Sequence, residues 1–342
     1  MDVKTQLDRR RNPFFEHAEA EYFLAERGEQ VIGRIAAIDN RLHYEHHPAD
    51  RVGFFGWFEC ADDQEAANAL LEAASAWVRA HGLPAMRGPA SFSVNDDCGL
   101  LVDGFETPNV LLTPWHPPYY AVLLERAGFA KAKDLILYEG GHPTHYAEPP
   151  ERIGRAAAML EERYGIRIRD LNLRDFRAEV GRVKVLYNAC WERNWGFIPM
   201  TDAEIDHLAK EFRPVVIPEL VPFAEAADGT PIGFGLALPD LNQVLRANRN
   251  GRVVPGAARI LWGLKRRTIR RARVALLGVL PEYRRIGLDA VLYHRIWTRA
   301  GHRGIYWGEG GWVLEDNPSM RHGLERMRFS AYKTLRLYDR PT

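Results

Sequence analysis

Cysteine is scarce: Cys60, Cys98 and Cys190 are the only three in 342 residues. They are scattered and form no Cys-x-x-Cys pair, which argues against a disulfide framework and a zinc knuckle and points to a reducing compartment. Long apolar runs are also lacking. No stretch approaches the ~20 apolar residues a membrane-spanning helix requires. The segment Met1 to Phe15 carries Arg9, Arg10 and Arg11 but no apolar run of signal-peptide length, so a cytoplasmic location is expected. Charge of one sign is absent as well: 46 Lys+Arg stand against 45 Asp+Glu, a net charge of +1. That leaves no global field for nucleic acid, and any electrostatic partner must be read from local clusters. What is present is 46% hydrophobic residues with 11% aromatics, enough for a buried core, in a length that suggests two domains or one large one.

The chain repeats itself at an offset of 200 residues. Leu124, Glu125, Arg126, Phe129, Lys133, Leu135, Leu137 and Tyr138 recur as Leu324, Glu325, Arg326, Phe329, Lys333, Leu335, Leu337 and Tyr338, eight identities in fifteen positions. The same offset relates Phe23 to Phe223 and Ile32-Gly33 to Ile232-Gly233. Each of these matches sits in a strand-turn-strand pattern whose turn holds Gly28 or Asp228-Gly229. We read a duplication in which each half has a hairpin, a longer strand, a helix, a further strand, a short helix and a closing strand.

In the first half the pattern predicts a hairpin over 21–38, a strand at 52–60, a helix at 64–80, a strand at 85–93, a helix at 118–127 and a closing strand at 133–138. Glycine, histidine and three prolines between 140 and 150 read as a linker. In the second half a strand at 166–173 and a helix at 176–192 precede Thr201 and Glu204, which have capping-box spacing ahead of another helix. The hairpin at 221–238, strand 274–280, helix 288–300, strand 305–314, a short helix after Asn317 and strand 332–338 complete it. The expected division is 1–139 for a truncated half, 140–164 for linker and helix, and 165–342 for the complete half.

From Val274 the chain runs through a buried strand, a Pro281 turn, Arg284 and Arg285 into a helix opening at Gly287. Unpaired N–H groups and the positive helix end converge there, which makes an anion site. Gly287 lets a phosphate approach the backbone closely. The segment resembles motif A of the GNAT N-acyltransferase superfamily, Gln/Arg-x-x-Gly-x-Gly/Ala, with Arg284 first, Gly287 fourth and Asp289 departing at the sixth position. Downstream, the strand through Trp312, then Asn317, a short helix and Leu324-Glu-Arg-Met-Arg-Phe329 resemble the GNAT ending. The resemblance spans roughly residues 12 to 340. It implies an α/β (α+β) protein with two GNAT-like mixed-sheet domains in tandem. It also implies acyl-CoA, acetyl or longer, as co-substrate, held by Val279, Arg284, Arg285, Ile286, Gly287, Leu288, Asn317 and Met320. In the first half Glu59, Asp62, Asp63 and Glu65 occupy the corresponding place and would repel pyrophosphate, so only the second half is expected to hold acyl-CoA.

Acyl transfer to an amine requires a base for the ammonium proton. Glu309, on the strand 305–314 among aromatic residues, is the first choice, with Glu315 and Asp316 nearby. Asn317 reads as an N-cap and as a contact to CoA or an ordered water. Where the GNAT ending carries a tyrosine that protonates the thiolate, this chain has Leu324. Tyr283, Tyr306 and Tyr332 are substitutes, or no acid is needed. Trp191, Glu192, Asn194 and Trp195 join two helices where the resemblance places part of the acceptor pocket, and Asn95, Asp96, Tyr119 and Tyr120 are first-half candidates for the same cleft. The run His43-Tyr-Glu-His-His47 matches no metal-ligand spacing, and no metal is expected.

Between Leu241 and Pro281 there is no acidic residue but ten basic ones, among them Arg246, Arg259, Lys265, Arg266, Arg267, Arg271 and Arg273. Ile260, Leu261, Trp262 and Leu264 interleave with them. Such a segment over 246–273 fits an anionic membrane surface, the adenosine 3′-phosphate of CoA, or a solvated face; nucleic acid is not expected, for want of a reading platform. On the membrane reading the acceptor is a lipid amine rather than another small-molecule amine, and the protein is similar to bacterial ceramide synthases. The leading expectation is an acyl-CoA-dependent N-acyltransferase. A noncatalytic CoA- or ligand-binding module is the alternative, motivated by Asp289 and Leu324.

Overall fold

The computed structural model describes residues 3–342; Met1 and Asp2 lie outside the described residues. In chain order the strands are β1 (Ala18–Arg27), β2 (Gln30–Asn40), β3 (Val52–Cys60), β4 (Ala85–Gly88), β5 (Leu100–Asp103), β6 (Ala130–Gly141), β7 (Arg167–Asp170), β8 (Pro222–Glu225), β9 (Pro231–Pro239), β10 (Arg271–Val279), β11 (Trp307–Leu314) and β12 (Ser330–Pro341). Gly28 and Gly229 turn the two hairpins, β1 with β2 and β8 with β9, at φ of +64° and +85°. Glycine reaches that region without the Cβ penalty. All strands join one mixed sheet in the order β1-β2-β3-β4-β12-β6-β11-β10-β9-β8-β7, with β5 also on β12.

That order reveals an exchange. The closing strand of the first half, β6, lies beside β11 of the second, and the closing strand of the second, β12, lies beside β4 of the first. The two closing strands pair with each other antiparallel, and Leu135 faces Leu335 directly in the register. These are equivalent positions of the repeat, so a pseudo-twofold axis passes between them. Both leucines are buried. The guanidinium of Arg87 on β4 holds Asp339 on β12 at 2.8 Å, and Arg336 on β12 holds Asp134 on β6 at 2.7 Å. Residue 139 therefore falls inside β6, within the sheet of the other half.

Each half covers its sheet with one main helix. Helix Gln64–Ala80 buries Ala67, Leu70, Leu71, Ala74 and Val78, and helix Leu288–His302 buries Leu288, Val291, Leu292 and Ile296. Both sets recur at three and four residues, a single apolar stripe, and each large side chain contributes about 1.5–3 kcal/mol of burial. The first half opens with only the helix Val3–Leu7 and a turn of 3₁₀ helix before β1, whereas β7 and the helices Phe176–Trp191 and Asp202–Phe212 precede β8. The strand expected at 85–93 stops at Gly88, because Pro89 offers no N–H to a ladder. Residues 41–46, which include most of the histidine run, form a short helix.

Candidate active site

β10 and β11 pair in parallel only from Arg271 opposite Trp307 to Val274 opposite Gly310. Beyond that, β10 shifts register on β9 between Val274 and Leu276, and β11 shifts on β6 between Gly310 and Val313. The two strands part, leaving one edge of β10 without a ladder partner. A cavity of about 640 Å³ fills the gap, with Leu276, Gly278 and Val279 on one side and Trp312, Val313 and Leu314 on the other.

At one end of the cavity lies the start of helix Leu288–His302. Gly287 is its N-cap at φ +81°, and no side chain caps the first turn. A Cβ at Gly287 would meet nothing within 4 Å, so the amide end opens onto free space. In the first half the matching helix is closed: Asp63 accepts from the Ala66 N–H at 3.1 Å, and Arg27 pairs with Asp63 and Glu65 at 2.9 Å each. Arg284 ties its loop down, donating to the Val279 carbonyl at 3.0 Å and to the Cys190 carbonyl at 2.6 Å. Arg285 is exposed and has no ion-pair partner among the described residues. Asn317 caps the helix Pro318–Arg326 by accepting from the Met320 N–H at 3.1 Å, and both residues line the cavity. Val279 lines it too, while Ile286 and Leu288 pack into the second-half core.

The opposite wall comes from the first half. Ser91, Asn95, Asp96, Asp97 and Cys98 line the cavity on the segment that follows Pro89. The Ser93 hydroxyl donates to Asp96 at 3.0 Å, and Tyr187 on helix Phe176–Trp191 donates to the Asn95 side chain at 2.9 Å. Enclosure by protein pushes the Asp96 carboxyl up to about 7, aided by the charges of Asp97 and Glu204 and opposed by the Ser93 hydrogen bond. A carboxyl poised there exchanges protons near neutral pH. The cavity thiols are of the other kind: burial raises Cys98 and holds Cys190 at about 12, so neither is a ready thiolate.

No family model matches the chain. It is 34% identical to the bacterial ceramide synthase of Caulobacter vibrioides over 347 aligned positions, covering 99% of this chain and 88% of that one. It is 33% identical to the protein YghO of Escherichia coli, covering 96% and 84%. This chain belongs to one family with those two relatives. Among solved structures, a tandem GNAT protein from the clavulanic acid biosynthesis pathway superposes with a TM-score of 0.56 at 12% identity, covering 96% of this chain and 84% of the other. A GCN5-related N-acetyltransferase from Sphaerobacter thermophilus gives 0.53 at 13%, covering 94% and 80%. At such identities these two establish the shared fold.

Several residues singled out by sequence stand elsewhere in this tandem GNAT fold. Glu309 is buried and does not itself line the cavity, although its partner Arg273 does. Its carboxylate accepts from Thr113 at 3.0 Å and from the Tyr332 hydroxyl, and pairs with Arg273 at 3.3 Å. Arg273 in turn holds the carbonyls of Leu111, Leu112 and Gly311 and the Thr113 hydroxyl. This cluster pins a first-half loop across β10 and β11. Tyr283 packs on the second-half core, and Tyr306 stacks under Arg270. The tyrosines that line the cavity are Tyr187 and Tyr293. Glu315 and Asp316 are surface partners of Lys131 and Lys133 at 2.6 and 2.8 Å. Tyr119 and Tyr120 donate to the Cys60 carbonyl and Glu59 in the first-half core.

Trp191, Asn194 and Trp195 line the cavity, but Glu192 sits in a separate shallow hollow with His46 and Asn188. Arg87 and Lys133 lie over the Trp195 ring at 4.7 and 5.2 Å. In the basic segment, Arg271 and Arg273 are buried against Asp240 and Glu309, and Arg273 also lines the cavity. Arg246, Arg249, Arg252, Arg259, Lys265, Arg266 and Arg267 are exposed, with no acidic partner among the described residues. They surround the helix Val253–Arg266, which exposes Val253 (80%), Val254 (79%), Leu261 (62%) and Trp262 (58%). Among the described residues, no group of three His, Cys, Asp or Glu side chains is placed to hold a metal ion, and no helix is long and apolar enough to cross a membrane.

Proposed function

We propose that this tandem GNAT protein is an acyl-CoA-dependent N-acyltransferase that acylates a long-chain amine at a membrane surface. The observation that carries the reading is one continuous cavity lined both by Val279, Arg284 and Asp289 beside an uncapped helix start and by the enclosed carboxyl of Asp96. The residues present fit the co-substrate. The uncapped amides at Gly287 and the free Arg285 suit its phosphates, and the open edge of β10 offers main-chain groups to its amide-bearing arm. Asp289 in the first turn lines the same end and sets the affinity lower than bare amides would give.

When bound, acyl-CoA supplies the acyl group: its thioester C–S bond is exchanged for an amide C–N bond, and the thiol is released. Asp96 takes the ammonium proton, leaving the amine lone pair free to attack. Asn95, held by Tyr187, orients the amine beside it. Tyr293, kept protonated by burial, offers a hydrogen bond to the departing sulfur. The raised thiols of Cys98 and Cys190 favour direct attack over a covalent acyl-enzyme. The name of the Caulobacter relative supports an amine of the sphingoid type. The exposed apolar stripe of Val254, Leu261 and Trp262, flanked by Arg259, Lys265 and Arg266, suits an anionic bilayer, at about 1 kcal/mol per basic residue near the headgroups.

Calorimetry with CoA and acyl-CoA tests the reading. Binding is expected, and Gly287→Trp is expected to abolish it; the space beside Gly287 holds no protein atom, but φ of +81° strains any side chain there, so the variant is compared only after circular dichroism shows it folded. No binding by the unaltered protein, or binding indifferent to Gly287→Trp, overturns the assignment and leaves a noncatalytic module.

A further inference from the structure

The cavity extends well beyond what a thioester and an amine need. An apolar arm runs between the helices Phe176–Trp191 and Asp202–Phe212, over the face of β9. Phe176, Val180, Val183, Tyr187 and Trp191 follow one another along one stripe of the first helix, and Ile205, Leu208 and Phe212 along one stripe of the second. At 1.5 Å per residue the first stripe is about 22 Å long. Val180, Val183, Leu208 and Phe212 are only half-buried although they line an interior space, so their apolar surface is left for something else to cover. Lys184 straps the helices together from outside, pairing with Asp202 at 3.4 Å and Asp206 at 3.0 Å. The far end is walled: Arg213 lies over the Phe176 ring at 5.0 Å, and Glu179, also in the wall, is held by Arg169 at 2.8 Å.

We propose that this arm holds the alkyl chain of the amine acceptor, and that the wall of Phe176, Phe212 and the Arg169–Glu179 pair sets the longest chain accepted. The inference rests on the acyltransferase reading and adds which chain lies where. Apart from this arm, the cavity is lined along β10 from Val279 to Val274 and by Trp57, Leu112 and Pro114 of the first half, which is the path left for the acyl group. The arm leaves sideways at Trp191 and Leu276, close to Asn95 and Asp96. An amine nitrogen at Asp96 thus has a lateral apolar channel for its tail.

The test uses the whole protein, a series of straight-chain primary amines and a series of acyl-CoAs, with two readouts. The first is thiol release; the second is amine binding measured by calorimetry without CoA. Val183→Trp and Leu208→Trp should lower the ratio of long-amine to short-amine turnover about tenfold or more and weaken long-amine binding alike, while the preference among acyl-CoA lengths stays that of the parent. Phe212→Ala should shift the optimum to longer amines. If the substitutions instead change acyl-CoA length preference, or folded variants change neither, the proposal is overturned. If the parent protein releases no thiol with any amine, the acyltransferase reading fails, and the binding arm alone decides the channel: long-amine binding lost in Val183→Trp supports it, and binding that persists refutes it.

Discussion

Asp96→Asn removes the proposed base with little steric change. The Asn side-chain oxygen still accepts from the Ser93 hydroxyl, which lies 3.0 Å from the parent carboxylate. With a carboxyl near 7, about half the protein carries the base form at pH 7 and about a tenth at pH 6, so kcat/KM should fall roughly tenfold per pH unit below neutrality. Removing a positioned general base costs about 10²–10⁴ in rate, and the variant should lose that factor at pH 8 together with the inflection near 7. The stability sign is opposite. A carboxyl raised above its unfolded value stabilises the fold while protonated, and that contribution is lost as pH rises through about 7. Asp96→Asn should therefore unfold at higher urea than the parent at pH 9 and lose this advantage toward pH 5. Thiol release across pH 5.5–9 and urea titrations at both ends supply the measurements. A variant as fast as the parent at pH 8, with the inflection intact, refutes Asp96 as the base.

Glu309→Gln should act on stability: loss of the buried charge opposite Arg273 costs about 3–5 kcal/mol, offset in part by the carbonyls Arg273 retains, and the folded fraction should keep its inflection near pH 7. A large rate loss without a change in denaturation midpoint would restore Glu309 to the chemistry. Changing Lys265, Arg266 and Arg267 to Glu should abolish sedimentation with anionic vesicles; parent protein that never sediments ends the membrane reading. Asp50 is held well below the usual carboxylate range, chiefly by its hydrogen bond from His43 and by Arg87, so its stabilisation is present above about pH 4 and fades below it. Asp50→Asn should flatten the fall in urea midpoint between pH 6 and 3, and an unchanged slope counts against it.

The repeat, both hairpins, the helix at 64–80 and the Thr201–Glu204 capping box were legible because each is written in local spacing; the box is formed with both of its hydrogen bonds. The strand exchange was not. β6 and β12 share so many identities that neither carries a local preference for its own half, and only the register between them tells which sheet each joins. The setting of Glu309 was illegible for a related reason. Its partner Thr113 is 196 residues away, on a loop without a periodic pattern, so a strand carboxylate among aromatics looked available. Asn95 and Asp96 were visible as first-half candidates for the cleft, but nothing in the sequence ranked them above Glu309. What distinguishes them is their place in the cavity wall, which arises only when the first half folds against the second. Arg271 and Arg273 looked like members of a basic surface because buried and exposed arginines read alike until Asp240 and Glu309 are placed beside them.

The facing of Leu135 and Leu335 carries a history. A lone copy of the repeat would end in a strand with no sheet of its own to lie in, and two such chains could each lend the other its tail. Joining them end to end turns an encounter that depended on concentration into one fixed by a tether. Copies joined in this way need not stay alike, and here one closes its helix start with Asp63 while the same half places Asp96 in the cavity wall.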